Sequence, residues 1–408
     1  MRTTAFFGWR AVAGAFVLAV FGWGLGFYGP PVYLHAVQEA RGWSVVLVSA
    51  AVTLHFLVGA VVVANLPALY RRFGLPATTK AGAVLLALGV VGWALAREPW
   101  ELLLATLLSG AGWVAMGAAA VNAIVAPWFV QKRPAALAMA YNGASIGGVV
   151  FSPLWVMAIA WLGFPSAAIV IGAGMLVAVW LLADLVFART PEAMGQRPDG
   201  DLAGMPPAAP LSAAKPLPGG LLWRDLRFLT LAAGMALGLF AQIGLIAHLF
   251  SLLVPALGEQ AAGILMGAAT ASAIAGRTLV GWLMPPGSDR RLIACASHVV
   301  QIVGSLALIL SAGDNVVLLV AGVLLFGAGI GNTTSLPPLI AQVEFDKADV
   351  QRVVPLIVAI GQGTYAFAPA AFGAIRALST GQATLVFVAA ALVQILAIAA
   401  FFAGRRRG

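Results

Sequence analysis

The chain has 408 residues, 62% apolar and 9% charged, with a mean hydropathy of +0.99 and a formal net charge of +9. That leaves too little polar surface to clothe a water-soluble globule, so the composition specifies an integral membrane protein rather than two or three soluble domains. The basic residues form no patch interleaved with aromatics, which argues against nucleic acid, and a single cysteine, Cys295, excludes a disulfide framework or a cysteine metal site.

Arg2 precedes a long apolar stretch without a small-residue cleavage site, so the chain starts on a first span rather than a removed signal. About 20 apolar residues cross the ~30 Å hydrocarbon core. Such windows fall at 9–37, 44–69, 79–96, 100–126, 135–162 and 165–188, then at 226–256, 260–283, 291–312, 315–340, 353–377 and 382–403. The pattern predicts an all-α membrane protein of twelve transmembrane helices; the alternating runs of an outer-membrane barrel are not seen. Twelve spans put both termini and every even-to-odd connection on one side, and that side carries nineteen basic residues against Arg41, Arg97 and Arg376 on the other. The positive-inside rule then places both termini in the cytoplasm, in a cell (inner) membrane.

Thr190 to Gly220 holds seven prolines with several Gly, Ser and Ala, and reads as a flexible cytoplasmic tether. The expected organisation is an N-terminal six-helix bundle over 1–189, a linker over 190–222 and a C-terminal six-helix bundle over 223–408. The halves repeat in sequence: Trp9-Arg10 answers Trp223-Arg224, His35 answers His248, Gly110-Ala111-Gly112 answers Gly327-Ala328-Gly329, and the Arg71-Arg72 loop answers Asp289-Arg290-Arg291.

Arg277 is the basic residue that this topology cannot place in a loop or at a helix end. A cation at membrane depth costs about 2.5–3.5 kcal/mol on insertion scales, so it needs a partner or a use. It is either a bidentate clamp on a carboxylate, which guanidinium geometry matches, or a structural arginine that snorkels across roughly 12 Å of helix to the cytoplasm. His55, mid-span, either binds substrate or relays a proton, or is a neutral histidine hydrogen-bonded between helices. His35 and His248, at the outer ends of spans one and seven, are either gate contacts or interfacial packing; His298 and Cys295 read as core.

Tyr28 beside Gly29-Pro30-Pro31, Asn142 and Ser145 in span five, and Gln362, Thr364, Tyr365 and Pro369 in span eleven either line a cavity or glue helices together. The pattern Gly24-x-Gly26-x-x-Gly29 has no strand before it, so helix packing explains it and not a dinucleotide. The sequon Asn332-Thr333-Thr334 falls inside the bilayer or the cell. No phosphate-binding Gly-x4-Gly-Lys-Ser/Thr stretch, metal-ligand spacing or catalytic constellation occurs, so no cofactor and no enzyme activity is expected.

Gly276-Arg277-x3-Gly281 followed by Asp289-Arg290-Arg291 resembles the loop motif of the major facilitator superfamily, and the resemblance runs over essentially the whole chain. It implies two pseudo-symmetric bundles that move a solute by alternating access, with Arg71, Arg72, Asp289 and Arg290 as gate latches. The N-terminal copy, Leu69-Tyr70-Arg71-Arg72-Phe73-Gly74, keeps the basic pair and lacks the aspartate. The stretch Trp128-Phe129-Val130-Gln131-Lys132-Arg133-Pro134-Ala135-Ala136-Leu137-Ala138, with Gly143-Ala144-Ser145-Ile146-Gly147-Gly148 and Pro153, is similar to the monocarboxylate transporter and oxalate:formate antiporter branch. Arg277 falls where that branch holds a substrate carboxylate. The chain departs from the branch at Ala273, where the carriers have an aspartate, at Pro31, near their first-helix lysine, and at Gln362, in place of the antiporter's second lysine.

A single cation suits a monoanion. The resemblance therefore implies a monomeric transporter of a small monocarboxylate, driven by proton symport or anion exchange. The alternative is a proton-driven exporter of hydrophobic or cationic compounds, which needs an acid in the cavity; Asp184 and Glu344 lie near inner helix ends.

Overall fold

The computed structural model describes residues 6–200, 219–285, 287–378 and 383–405, and every regular element among them is helical. The first span is α1 (Gly8–Gly26) followed by α2 (Gly29–Arg41). It breaks where the amides of Phe27 and Tyr28 both bond to the Trp23 carbonyl, because Pro30 and Pro31 bring no N–H to continue the ladder. Next come α3 (Val45–Phe73), α4 (Leu75–Leu95) and α5 (Pro99–Ala115), the last opened by Glu101, whose Oε2 accepts the amides of Arg97 and Glu98 at 2.6 and 3.2 Å. After a break at Gly117 follow α6 (Ala118–Val125), α7 (Arg133–Leu162) and α8 (Phe164–Leu182), which runs into a π-turn at Ala183–Phe187.

The second half holds the short α9 (Gly219–Leu222), α10 (Leu226–Leu283), α11 (Arg290–Leu310), α12 (Val316–Glu344), α13 (Lys347–Tyr365), α14 (Ala368–Leu378) and α15 (Thr384–Ala403). Eleven segments among the described residues are long and apolar enough to span a membrane. One of them, α10, is 58 residues long and contains Gly258 at φ 74°, ψ 163°, a conformation open to glycine, so it is two spans joined at a bend three residues after Pro255. The twelve predicted spans are therefore present, with the seventh and eighth fused.

The chain divides into two compact units, one of residues 1–43 and 54–207, the other of 44–53 and 208–408. The glycine repeat has the same packing role in each. Gly110 lies against the His55 carbonyl and Gly112 against the Leu86 amide; Gly327 lies against the Ala269 carbonyl and Gly329 against the Gln301 side chain. In all four places a Cβ would sit within 2.5 Å of the neighbour, so α5 and α12 each need glycine to wedge between two helices.

The start of the linker is docked rather than loose. Asp199 Oδ2 accepts the amides of Val130 and Gln131 at 3.0 and 2.8 Å, Oδ1 accepts that of Lys132 at 3.1 Å, and the Asp199 amide donates to the Trp128 carbonyl. Asp199 adopts φ 65°, a left-handed conformation aspartate tolerates for such local bonding. Composition alone misses this because the partners are backbone N–H groups, which every residue carries. The part of the tether over 201–218 lies outside the described residues.

Candidate functional site

Arg277 lies in the second half of α10, six residues before the helix ends at Leu283, which is about 9 Å of helix. It is half-buried where α10 and α12 approach backbone to backbone. A Cβ at Gly276 would stand 2.0 Å from the Ala328 carbonyl, and one at Gly331 would stand 2.5 Å from the Ala273 carbonyl and 3.0 Å from Arg277 Cβ. Glycine at 331 therefore gives Arg277 its room. Ala273, one turn earlier, is buried in the same crossing.

Also in the second unit, Gln362 hydrogen-bonds to the Tyr365 hydroxyl beside the break between α13 and α14, and both side chains are half-buried. His248 is buried, with Nε2 3.0 Å from the Pro369 carbonyl. Beside it, Gly373 packs under Ser49, and Thr53 Oγ1 accepts the Ala370 amide at 3.0 Å. Residues 44–53, the start of α3, thus group with the second unit and pack there on α14. A Cβ at position 373 would meet Ser49 Oγ at 2.4 Å, so Gly373→Val prises this contact apart. Labelling of a Thr53→Cys protein with a water-soluble maleimide reads this as a several-fold faster reaction in the Gly373→Val background.

In the first unit both ring nitrogens of His55 are engaged: Nε2 lies 2.9 Å from the Gly26 carbonyl and Nδ1 2.8 Å from Ser109 Oγ. The Nε2–H donates to the carbonyl, and in the neutral ring Nδ1 accepts from Ser109, which also accepts the Trp93 indole N–H at 3.2 Å. That arrangement ties α1, α3, α4 and α5 together through one imidazole. Tyr28 is half-buried with its ring edge-on to Phe27 at 5.0 Å, and Asn142 is exposed on α7. His35 is half-buried, and Arg71 and Arg72 are exposed, Arg72 standing 5.1 Å over the Phe73 ring.

Two polar residues were not singled out in the sequence. Asn122 Nδ2 and the Tyr141 hydroxyl both donate to the Ala118 carbonyl at 3.0 Å, and they also bond to each other, which ties the first turn of α6 to α7. Trp23 stands edge-on to both Tyr141 and Trp113. A search for every polar side chain inside an apolar window would have found Asn122 and Tyr141.

The chain matches the Major Facilitator Superfamily over residues 12–369. It belongs to that family. A curated relative, MFS-type transporter 1 of Ophiocordyceps sp. (strain BCC 1869), is 28% identical over 347 residues, covering 82% of this chain and 71% of its own. Among solved structures, the nucleoside transporter NupG has a TM-score of 0.75 at 13% identity over 98% of this chain and 100% of its own. A bacterial homologue of the human lysosomal transporter Spinster, inward-facing and unoccupied, has a TM-score of 0.65 at 14% identity, covering 98% of each chain. At these identities the two structures share the fold alone. The chain is thus a multi-pass membrane transporter and not an enzyme.

The C-terminal loop motif of this major facilitator is built into an ionic network. Asp289 caps α11 through the amides of Arg291 and Leu292 and pairs with Arg405, while Arg290 Nη1 donates to the Leu339 carbonyl. Arg291, counted in sequence as a loop cation, is only 1% exposed and clasps Glu344 at 2.6 and 2.8 Å. Arg227 bridges Asp225 and the Glu344 carbonyl oxygen. Asp184, the other acid noted near an inner helix end, pairs with Lys80 at 2.6 Å in the first unit.

Burial works to raise the Asp289 carboxyl, but the bonds from Arg405, Leu292 and Arg291 outweigh it and hold it below the usual range. A carboxyl depressed by folding contributes stability that is complete above its unfolded value, about 3.9, and is lost as pH falls through the folded value. Melting temperature is therefore expected to fall on acidification below about pH 4, and Asp289→Asn to flatten that part of the profile. An unchanged profile in the variant contradicts the assignment.

Proposed function

We propose that this transporter is secondary active and carries a small organic anion, a monocarboxylate, by alternating access, coupled to proton symport or to anion exchange. The observation that carries the reading is Arg277: a half-buried guanidinium within a spanning helix, given room by Gly331. A guanidinium offers two parallel N–H bonds to a carboxylate, and the low dielectric strengthens them. Neutralisation of the cation by the bound anion lowers the cost of closing the protein around it. The same side chain lies about 9 Å from its helix end, so the structural alternative is tested in the same experiments.

Further site residues are proposed within each unit separately: Gln362 and Tyr365 in the second and Tyr28, Asn142 and His55 in the first, with Arg71, Arg72, Asp289, Arg290, His35 and His248 in gating. His55 contributes through the helices it holds in place, since both its nitrogens are engaged. The cytoplasmic side of the cell membrane is assigned to both termini on the basic-residue bias.

A second reading, export of hydrophobic or cationic compounds, is favoured by the half-buried aromatic side chains Trp23, Phe27, Tyr28 and Tyr141 of the first unit. A thermal-shift screen separates the two, because a ligand that binds only the folded state raises its melting temperature. Small monocarboxylates are expected to shift the detergent-purified protein in a saturable way. A shift with cationic dyes and none with any carboxylate would replace the first reading with the second.

A further inference from the structure

Beside the loop motif and Arg277, the second unit contains a polar cluster for which the transport reading has no use. Gln301 Oε1 on α11 accepts from Gln242 Nε2 on α10 at 3.0 Å and from Gln394 Nε2 on α15 at 2.8 Å, and Gln242 Nε2 also donates to Thr333 Oγ1 on α12 at 2.6 Å. His298, Ser305 and Asn332 complete the group, and all seven side chains are no more than 3% exposed.

The first unit shows that the fold does not require polar groups there. Gly89 packs on the Ser109 amide as Gly304 packs on the Phe326 amide, and Gly22 faces Met116 as Gly238 faces Thr333. In that register His298, Gln301, Ser305, Asn332 and Thr333 occupy the places of Ala83, Leu86, Val90, Ala115 and Met116. The first-unit set is equally buried and wholly apolar.

Within the protein the cluster is not satisfied. Gln301 Nε2, Gln394 Oε1, Asn332 Oδ1, Ser305 Oγ and His298 Nδ1 are buried without a hydrogen-bond partner among the described residues. Turning the three amides as a set only exchanges which of their atoms is left over. Five such groups in one bundle are costly in a lipid-embedded protein, and the site offers donors and acceptors together with no charge. Water answers that chemistry, since it both donates and accepts, and a buried water typically bonds to about three polar groups.

We infer that the C-terminal bundle encloses a buried water site, formed by Gln242, Gln301, Gln394, Thr333, Asn332 and His298, that links α10 to α11, α12 and α15 and has no counterpart in the N-terminal bundle. Water in place of fixed contacts gives the first half of α10 exchangeable partners.

The test is radiolytic hydroxyl-radical labelling of the full-length protein in nanodiscs, after a timed pulse of oxygen-18 water. His298 and Phe401, whose rings stack at 5.8 Å, are the reporters. Both are expected to be oxidised despite their burial, and the isotope is expected to enter them at least tenfold more slowly than it enters exposed Met194. Gln301→Leu, which restores the residue of the first unit, is expected to cut the His298 label several-fold. No labelling of His298 and Phe401 in the wild-type protein would make the cluster a dry amide zipper, and isotope entry as fast as at Met194 would make it an open channel. Either result overturns the proposal without needing the variant to fold.

Discussion

Replacing Arg291 by methionine is expected to lower the stability of the folded protein by about 3–5 kcal/mol, the range for breaking one side of a buried ion pair. All five guanidinium N–H groups are used: two on the Glu344 carboxylate, and the others on Thr230 Oγ1, the Phe401 carbonyl and the Arg227 carbonyl. Methionine fills similar volume and donates nothing, so the Glu344 carboxylate and three further acceptors lose their partner together. Most of the loss comes from the stranded carboxylate, hence Glu344→Leu on top of Arg291→Met should recover part of it. Detergent unfolding monitored by tryptophan fluorescence measures both. A double variant no more stable than the single one would contradict this account of the pair.

Arg277→Ala is expected to weaken carboxylate binding by roughly 30- to 4000-fold, from about 2–5 kcal/mol for truncating one side of a hydrogen-bonded charge pair. The readout is the ligand concentration that half-saturates the thermal shift, with the ligand-free melting temperature as the control for folding. Arg277→Lys keeps the charge and loses the fork, so it should fall between wild type and alanine. A snorkelling arginine makes a different pattern: lysine would substitute fully, and alanine would lower the melting temperature while leaving the half-saturating concentration where it was.

The helices were legible because about 20 apolar residues must cross the bilayer whatever else the protein does. Even the fused pair in α10 separates in sequence, since Pro255 and Gly258 interrupt the apolar run where the backbone bends. The glycine repeat was visible as spacing, but its cause, helix backbones in van der Waals contact, needed the neighbours at Ala269 and His55.

Arg291 and Arg290 are adjacent and chemically identical, and only tertiary packing sends one inward to Glu344 and the other to the Leu339 carbonyl. The glutamine cluster joins residues 59 and 93 positions apart, a separation no local pattern spans. The superfamily was legible from its loop motif. The monocarboxylate branch rests on Arg277 and the stretch after Trp128, and its substrate is what a transport assay has to decide.

That assay is uptake of a radiolabelled small monocarboxylate into proteoliposomes, comparing wild type with Arg277→Ala at equal protein incorporation. Saturable wild-type uptake, accelerated by an inward proton gradient or by preloaded unlabelled carboxylate and reduced to the protein-free level in the variant, is the predicted result. Uptake undiminished in Arg277→Ala, or wild-type liposomes that take up no carboxylate while moving a cationic dye, would contradict it.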